Sequence, residues 1–562
     1  MKIKFQNEWL LTPMAFFAAF ILISASCNKG KDPVTPPPPP PANFSISDWS
    51  VDGVSGKTEY KGTGLLPLIR LSFPVAINRN SAISKISFLG NVTANFAYQN
   101  GDSVIILQPT SPLQNLARYS VFVDTGLLSV KGGKLYSPVT IRLLTQLDTS
   151  DKFPIISDNQ LLDLVQQQTF RYFWDYGHPV SGLARERSNA TPETVTSGGS
   201  GFGIMAIPVA VSRNFITRAQ GLARMQTIVA FLKNTAQKFH GAFPHWLNGT
   251  TGVVIPFSAF DNGADLVETS FLMAGLLTAR QYFNGADAAE TALRADINSL
   301  WNAVEWNWFR QNNQNVLYWH WSPNFGWQMN FKIQGWNECL ITYIMAASST
   351  TYGIPQVVYK EGFARNGAMQ NGNTYFGYQL PLGPSNGGPL FWAHYSFLGI
   401  NPNGLNDTYA NYQAQATNHT KINYEYCKAN PGNWYGYSSK CWGLTASDVP
   451  GGYNANEPNN DIGVISPTAA LSSFPYTPAE SMDALKFFYY KLGNKIWGTY
   501  GFYDAFKLNE PWVADSYLAI DQGPIIVMIE NYRSGLIWNL LTSCPEVKNG
   551  MKNVLGFTAP YL

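Results

Sequence analysis

Between Asp265 and Leu277 the chain carries Leu266, Val267, Phe271, Leu272, Met273, Ala274, Leu276 and Leu277. These side chains cover the whole circumference of a helix, where a surface helix would keep a single apolar stripe. Such a helix is buried, and the rest of the chain must supply neighbours on every side of it. Asp265 and Glu268 stand three residues apart and point the same way, and Asp261 joins them if the helix begins that early. Burying an unpaired carboxylate costs several kcal/mol, so three acids at one end of an apolar rod are either helix caps or the lining of a cleft. Asp261 or Asn262 alone reads best as a cap. Glu268 lies too deep in the helix to cap its start.

Beyond Asp151 the chain keeps a helical period to its C-terminus. Segments at 158–176, 203–215, 217–239, 265–283, 286–309, 334–349, 389–398, 406–420, 467–473, 478–492, 512–519 and 523–541 are predicted as helices, joined by long loops rich in Gly, Asn, Pro, Trp and Tyr. Twelve helices in hairpins, buried ones alternating with amphipathic ones, fit an (α/α)6 toroid over 153–562, with the Asp265 helix in its inner ring. Residues 44–148 instead show short alternating runs such as Ser103–Leu107 and Tyr119–Val123 between turn residues, the pattern of an Ig-like β-sandwich. The expected fold is therefore two domains, all-β then all-α.

The first 27 residues read as a lipoprotein signal: Lys2 and Lys4, a short apolar run, then Ser24-Ala25-Ser26-Cys27. Cys27 is the expected lipidation site, and Pro36 to Pro41 make 28–43 a stiff spacer. This predicts a protein anchored by lipid on the periplasmic side of a membrane, most readily the outer one, and acting as a monomer. A net charge of +2 with 13% charged residues gives no footprint for nucleic acid. No histidine pair has metal-ligand spacing, so no metal and no cofactor are expected. Cys427 and Cys441 bracket a short loop and are candidates for a disulfide.

Seventeen Trp and 29 Tyr exceed the needs of an ordinary core and suit a sugar ligand. Cleavage of a glycosidic bond with inversion needs acid and base on two walls about 6.5–9.5 Å apart, so the Asp265 helix requires a partner. Glu338, in Gly335-Trp336-Asn337-Glu338 at the start of another apolar helix, is the best candidate and is expected to be the general acid. The water-activating base is then expected among Asp261, Asp265 and Glu268. Asp521 and Glu530 form a third set, though Glu530 with Arg533 also reads as an ion pair. Trp336, Tyr343, Trp392, His394, Trp442, Asp448 and Asp521 are the candidate substrate-binding residues. The Gly198–Gly203 run lacks the lysine of a P-loop and the strand and distant acid of a dinucleotide site, and is not a nucleotide loop.

Several motifs in one order, among them Ser200-Gly201-Phe202-Gly203-Ile204, Phe260 to Thr269, Gly335-Trp336-Asn337-Glu338, His394 to Gly399, Trp442 to Asp448 and Ser466-Pro467-Thr468-Ala469-Ala470, resemble the glucoamylase-like glycosidases of Bacteroidetes. That family holds endo-β-1,2-glucanases and enzymes that release sophorose from β-1,2-glucooligosaccharides. The resemblance implies a toroid, anomeric inversion, no metal, a β-1,2-glucan substrate, and Asp261, Asp265, Glu268 and Glu338 as essential acids. It does not extend to the sandwich or the spacer. A toroid lyase and a non-catalytic glycan-binding lipoprotein are the alternatives.

Overall fold

The computed structural model describes residues 38–562, so the signal segment, Cys27 and most of the spacer lie outside the described residues. A β-sheet region is followed by a helical domain, each with its own core. In the first, a five-stranded antiparallel sheet runs in the order Val54–Ser55, Asp48–Val51, Ile69–Ser72, Val104–Pro109, Ala94–Gln99. A second sheet orders Glu59–Thr63, Val139–Thr145, Arg118–Val123 and Ile86–Leu89, its first pair parallel. Alternation puts Ile69, Leu71, Ile105 and Leu107 of one sheet and Val121, Val123, Ile141 and Leu143 of the other into a shared interior.

The two domains are in intimate contact. Leu116 and Leu144 of the β-region are buried in the core of the helical domain. Lys61 Nζ donates to the Asn433 carbonyl at 2.8 Å, Arg118 Nη2 to the Asn509 carbonyl at 2.8 Å, and Leu147 N–H to the Tyr435 hydroxyl at 3.0 Å.

Within the helical domain the apolar Leu266–Tyr282 helix is buried over its first fourteen residues, as its composition requires. Its nearest neighbour is the Ser197–Ser212 helix, which begins six residues earlier than the periodicity predicts. The glycine run is its first turns. Glycine costs a helix about 0.5–1 kcal/mol per residue, and packing explains its use here. A Cβ on Gly201 would lie 2.3 Å from the Phe271 carbonyl oxygen, and one on Gly275 2.3 Å from that of Gly201, so only glycine lets the two backbones approach this closely.

Packing continues from the Leu266–Tyr282 helix to Leu340–Ser348, and from there to the short 3-10 turns Leu390–Ala393 and Ser396–Leu398. His394 Nε2 lies 3.0 Å from Ser473 Oγ just beyond the Pro467–Leu471 helix, which packs on Ala519–Arg533; that helix returns to Ser197–Ser212. Four expected helices are corrected: 389–398 is two 3-10 turns, and the helix expected over 406–420 is Tyr412–Ala429. Trp512–Val513 is a strand paired with Phe506–Lys507, and the helix expected over 523–541 is two, Ala519–Arg533 and Leu536–Thr542, separated where Gly535 takes φ of 68°. Cys427 and Cys441 are buried free thiols.

Candidate active site

Asp265 is the N-cap of the Leu266–Tyr282 helix: its Oδ1 accepts the Glu268 N–H at 2.9 Å. Its other oxygen, Oδ2, accepts from His245 Nδ1 at 2.9 Å. Asp261 is not helical; it sits in the preceding loop, with Oδ2 3.2 Å from His320 Nδ1. Short strands bring these partners in. Asp265 pairs with His320 in a two-residue ladder, and Thr196 pairs with Trp246 in a three-residue one, next to His245.

Glu268 does cap a helix, but not its own. Its Oε2 accepts the Gly198 N–H at 2.7 Å, in the first turn of the neighbouring glycine-rich helix, with Thr196 Oγ1 at 3.4 Å. The same carboxyl lines a cleft of about 450 Å³ together with His245, Trp246, Phe257, Phe391, Tyr395, Glu186, Arg187 and Tyr453. That size suits a small-molecule or oligosaccharide ligand.

Charge in this wall is finely divided. Burial alone would lower the His245 pKa, but Glu268, the bond to Asp265 and the charge of Asp261 outweigh it and lift the imidazole to about 9. His245 is therefore a cation at neutral pH. Burial works to raise Asp265, yet its bonds to His245 and its nearness to His320 hold it below the ordinary carboxylate value. Burial and the charge of Asp265 raise Glu268, against the pull of His245 and the Gly198 N–H. His245, Asp261 and Asp265 bring one ligand atom each to within 4.8 Å of one another, the one such group among the described residues.

Glu338 stands in the turn ahead of Leu340–Ser348, a helix six residues shorter at its start than predicted. Ser396 Oγ fixes that turn, donating to the Glu338 carbonyl and accepting the Ile341 N–H at 3.0 Å. Burial, with the charges of Glu268 and Asp265, pushes the Glu338 carboxyl up to about 7. Ser270 Oγ and Thr342 Oγ1, 2.8 Å apart, tie the two acid-bearing helices together.

Most of the predicted sugar-binding aromatics belong to the core instead. Trp336 packs against Phe363, Phe397 and Tyr412 and is 5% exposed. Trp442 is fully buried and donates to the Glu480 carbonyl at 3.2 Å. The hydroxyl of Tyr343, also fully buried, donates to the Ile333 carbonyl at 2.8 Å and accepts the Leu317 N–H at 3.0 Å. His394 is bonded to Ser473, and burial drops its pKa to about 3, so it is a neutral core histidine. Trp392 is half-buried beside Phe391, which is the residue that reaches the cleft. Asp448 accepts Arg187 Nη1 at 2.9 and 3.2 Å, just behind the cleft wall. Glu530 pairs with Arg213, not Arg533, at 2.7 and 3.0 Å. Arg187, Glu186, His245, Trp246, Phe257, Tyr395 and Tyr453 are cleft residues that no spacing announces; Tyr395 alone stands in one of the motifs quoted above.

A family model for "Glycoamylase" matches residues 330–545. The endo-β-1,2-glucanase from Chitinophaga pinensis, solved with sophorotriose and glucose, is 54% identical with a TM-score of 0.71; the match covers 73% of this chain and 100% of that one. The chain belongs to the glucoamylase-like family. The β-1,2-glucanase from Parabacteroides distasonis matches over 92% of this chain and 73% of its own, at 37% identity and a TM-score of 0.70, so the likeness takes in the β-region. The exo β-1,2-glucooligosaccharide sophorohydrolase of the same organism is 45% identical over 457 residues; this chain spans 63% of that relative's length.

Proposed function

We propose that this protein is a glycoside hydrolase that cleaves β-1,2-glucan or its oligosaccharides with inversion, on an (α/α)6 toroid preceded by an Ig-like sandwich. The cyclic order of packing among six buried segments supports the toroid, with Glu268 and Glu338 at the starts of adjacent inner helices. One observation carries the function: a carboxyl raised to about 7, Glu338, near enough to feel the charge of the cleft-lining Glu268, in a chain 54% identical to an endo-β-1,2-glucanase.

In this reading Glu338 is the general acid. Protonated near neutrality, it gives its proton to the glycosidic oxygen as the C1–O bond breaks. Glu268 binds the sugar beside the scissile bond. Asp265 and Asp261 act through the two histidines, keeping His245 charged and aimed into the cleft. Trp246 and Phe257 offer flat faces for glucose rings. The N-terminal signal and Cys27 support a lipid-anchored enzyme on the periplasmic side of the outer membrane.

Incubation of protein lacking residues 1 to 42 with linear β-1,2-glucan, and with β-1,3, β-1,4 and α-1,4 glucans, tests the proposal. A ladder of β-1,2 oligosaccharides marks an endo enzyme and sophorose alone an exo enzyme. Cleavage confined to another glucan would sink the substrate assignment.

A further inference from the structure

We propose that Asp521, sharing one proton with Asp504, is the general base that takes a proton from the attacking water, from the wall facing Glu338. The inference rests on the glycosidase reading of the cleft. It starts from the order of the buried segments around the domain: 197–212, 266–282, 340–348, 390–398, 467–471 and 519–533. Glu338 precedes the third and Asp521 lies in the first turn of the sixth, half a circuit away. Glu268, on the second, is Glu338's neighbour. Inversion sets the base on the opposite face of the sugar ring from the acid, about 6.5–9.5 Å away, an arrangement that facing segments allow.

The local chemistry agrees. Asp521 is 1% exposed and Asp504 2%. Asp504 Oδ2 accepts the Asp448 N–H at 2.7 Å, while Asp504 Oδ1 and both oxygens of Asp521 meet no N–H or O–H donor of the protein. One proton held between the carboxyls satisfies two of these three oxygens and leaves one acceptor for a water. Leu518 and Ile520, which both precede Asp521 in the chain, line the cleft.

Every ionisable group facing the pair is compatible with a single negative charge there. Asp448 is neutralised by Arg187, which also bonds Glu186 at 2.9 Å. The phenols of Tyr395 and Tyr453 lie close enough to Asp521 for its charge to raise them, and Tyr395 feels Glu338 and Glu268 as well. Burial and the charge of Asp448 push Asp504 up to about 7, and burial with the charge of Asp504 raises Asp521 as well. In the step itself, water oxygen bonds to C1 as its proton passes to the pair. The C1–O bond breaks, and the leaving oxygen takes the proton of Glu338. Both groups then exchange protons with solvent.

The test uses Asp521→Asn and Asp504→Asn in the full chain, with kcat on linear β-1,2-glucan and calorimetric Kd for sophorotriose. Asp521→Asn is expected to lower kcat about 10²–10⁴-fold with Kd unchanged. Azide, a nucleophile that needs no proton removed, is expected to restore turnover to Asp521→Ala, the released β-1,2 fragment carrying an α-azide at C1 of its new end. A folded Asp521→Asn that keeps wild-type kcat, with the loss appearing in Glu268→Gln instead, overturns the assignment and moves the base to Glu268. Wild-type protein inert on every glucan overturns the glycosidase reading and the assignment with it.

Discussion

The Gly198 N–H and the Glu268 Oε2 are 2.7 Å apart, and a Cβ on Gly198 would stand 2.4 Å from that same oxygen. No side chain fits between the two helices here without displacing the carboxyl. Gly198→Ala is therefore expected to lower kcat/KM on β-1,2-glucan by about 10²-fold, through misplacement of Glu268. Stability should fall by about 1–3 kcal/mol. Activity assays with thermal melts check both.

As the proposed general acid Glu338 works protonated, and its carboxyl is raised to about 7, so turnover is expected to fall as pH rises past that value. Above it the protonated fraction drops roughly tenfold per pH unit. Glu338→Gln should lose about 10²–10⁴-fold in kcat/KM and with it this alkaline limb. A pH–rate profile that keeps the limb in the variant would assign it to another group.

The charge of His245 stabilises the fold over a defined range. Its pKa is raised from 6.5 to about 9, so the contribution is complete below 6.5 and is lost as pH climbs through 9. Urea melts of the wild type between pH 6 and 9.5 should show a decline of up to about 3 kcal/mol that His245→Gln lacks.

Tyr343→Phe separates core from site. It removes two buried hydrogen bonds, to the Ile333 carbonyl and from the Leu317 N–H, and should cost about 1–3 kcal/mol. KM for β-1,2-glucan is expected to stay unchanged in the folded fraction. A raised KM at full stability would return Tyr343 to the binding surface.

Local periodicity makes the buried helix and its acids legible, and the same pattern exposes Glu338. It fails wherever the decisive partner is remote. Arg187 meets Asp448 261 residues along the chain, and Asp448 meets Asp504 56 residues on; no spacing announces either. The glycine run reads as a loop in sequence because its purpose is the approach of Phe271 and Leu272 from another helix. In the 390–398 segment the motif is legible but points to the wrong side chains. Phe391 and Tyr395 line the cleft, while His394 is buried against Ser473. Trp336 and Trp442 show the same limit: aromatic abundance does not tell which rings face sugar and which face each other.

Leu116 and Leu144 belong by sequence to the β-region and by burial to the helical domain. The boundary between the domains is therefore no boundary for cooperative unfolding. A chain cut after the last strand would present bare apolar surface at the loops around Tyr435 and Leu508, because the helical domain's core is completed by side chains of the β-region.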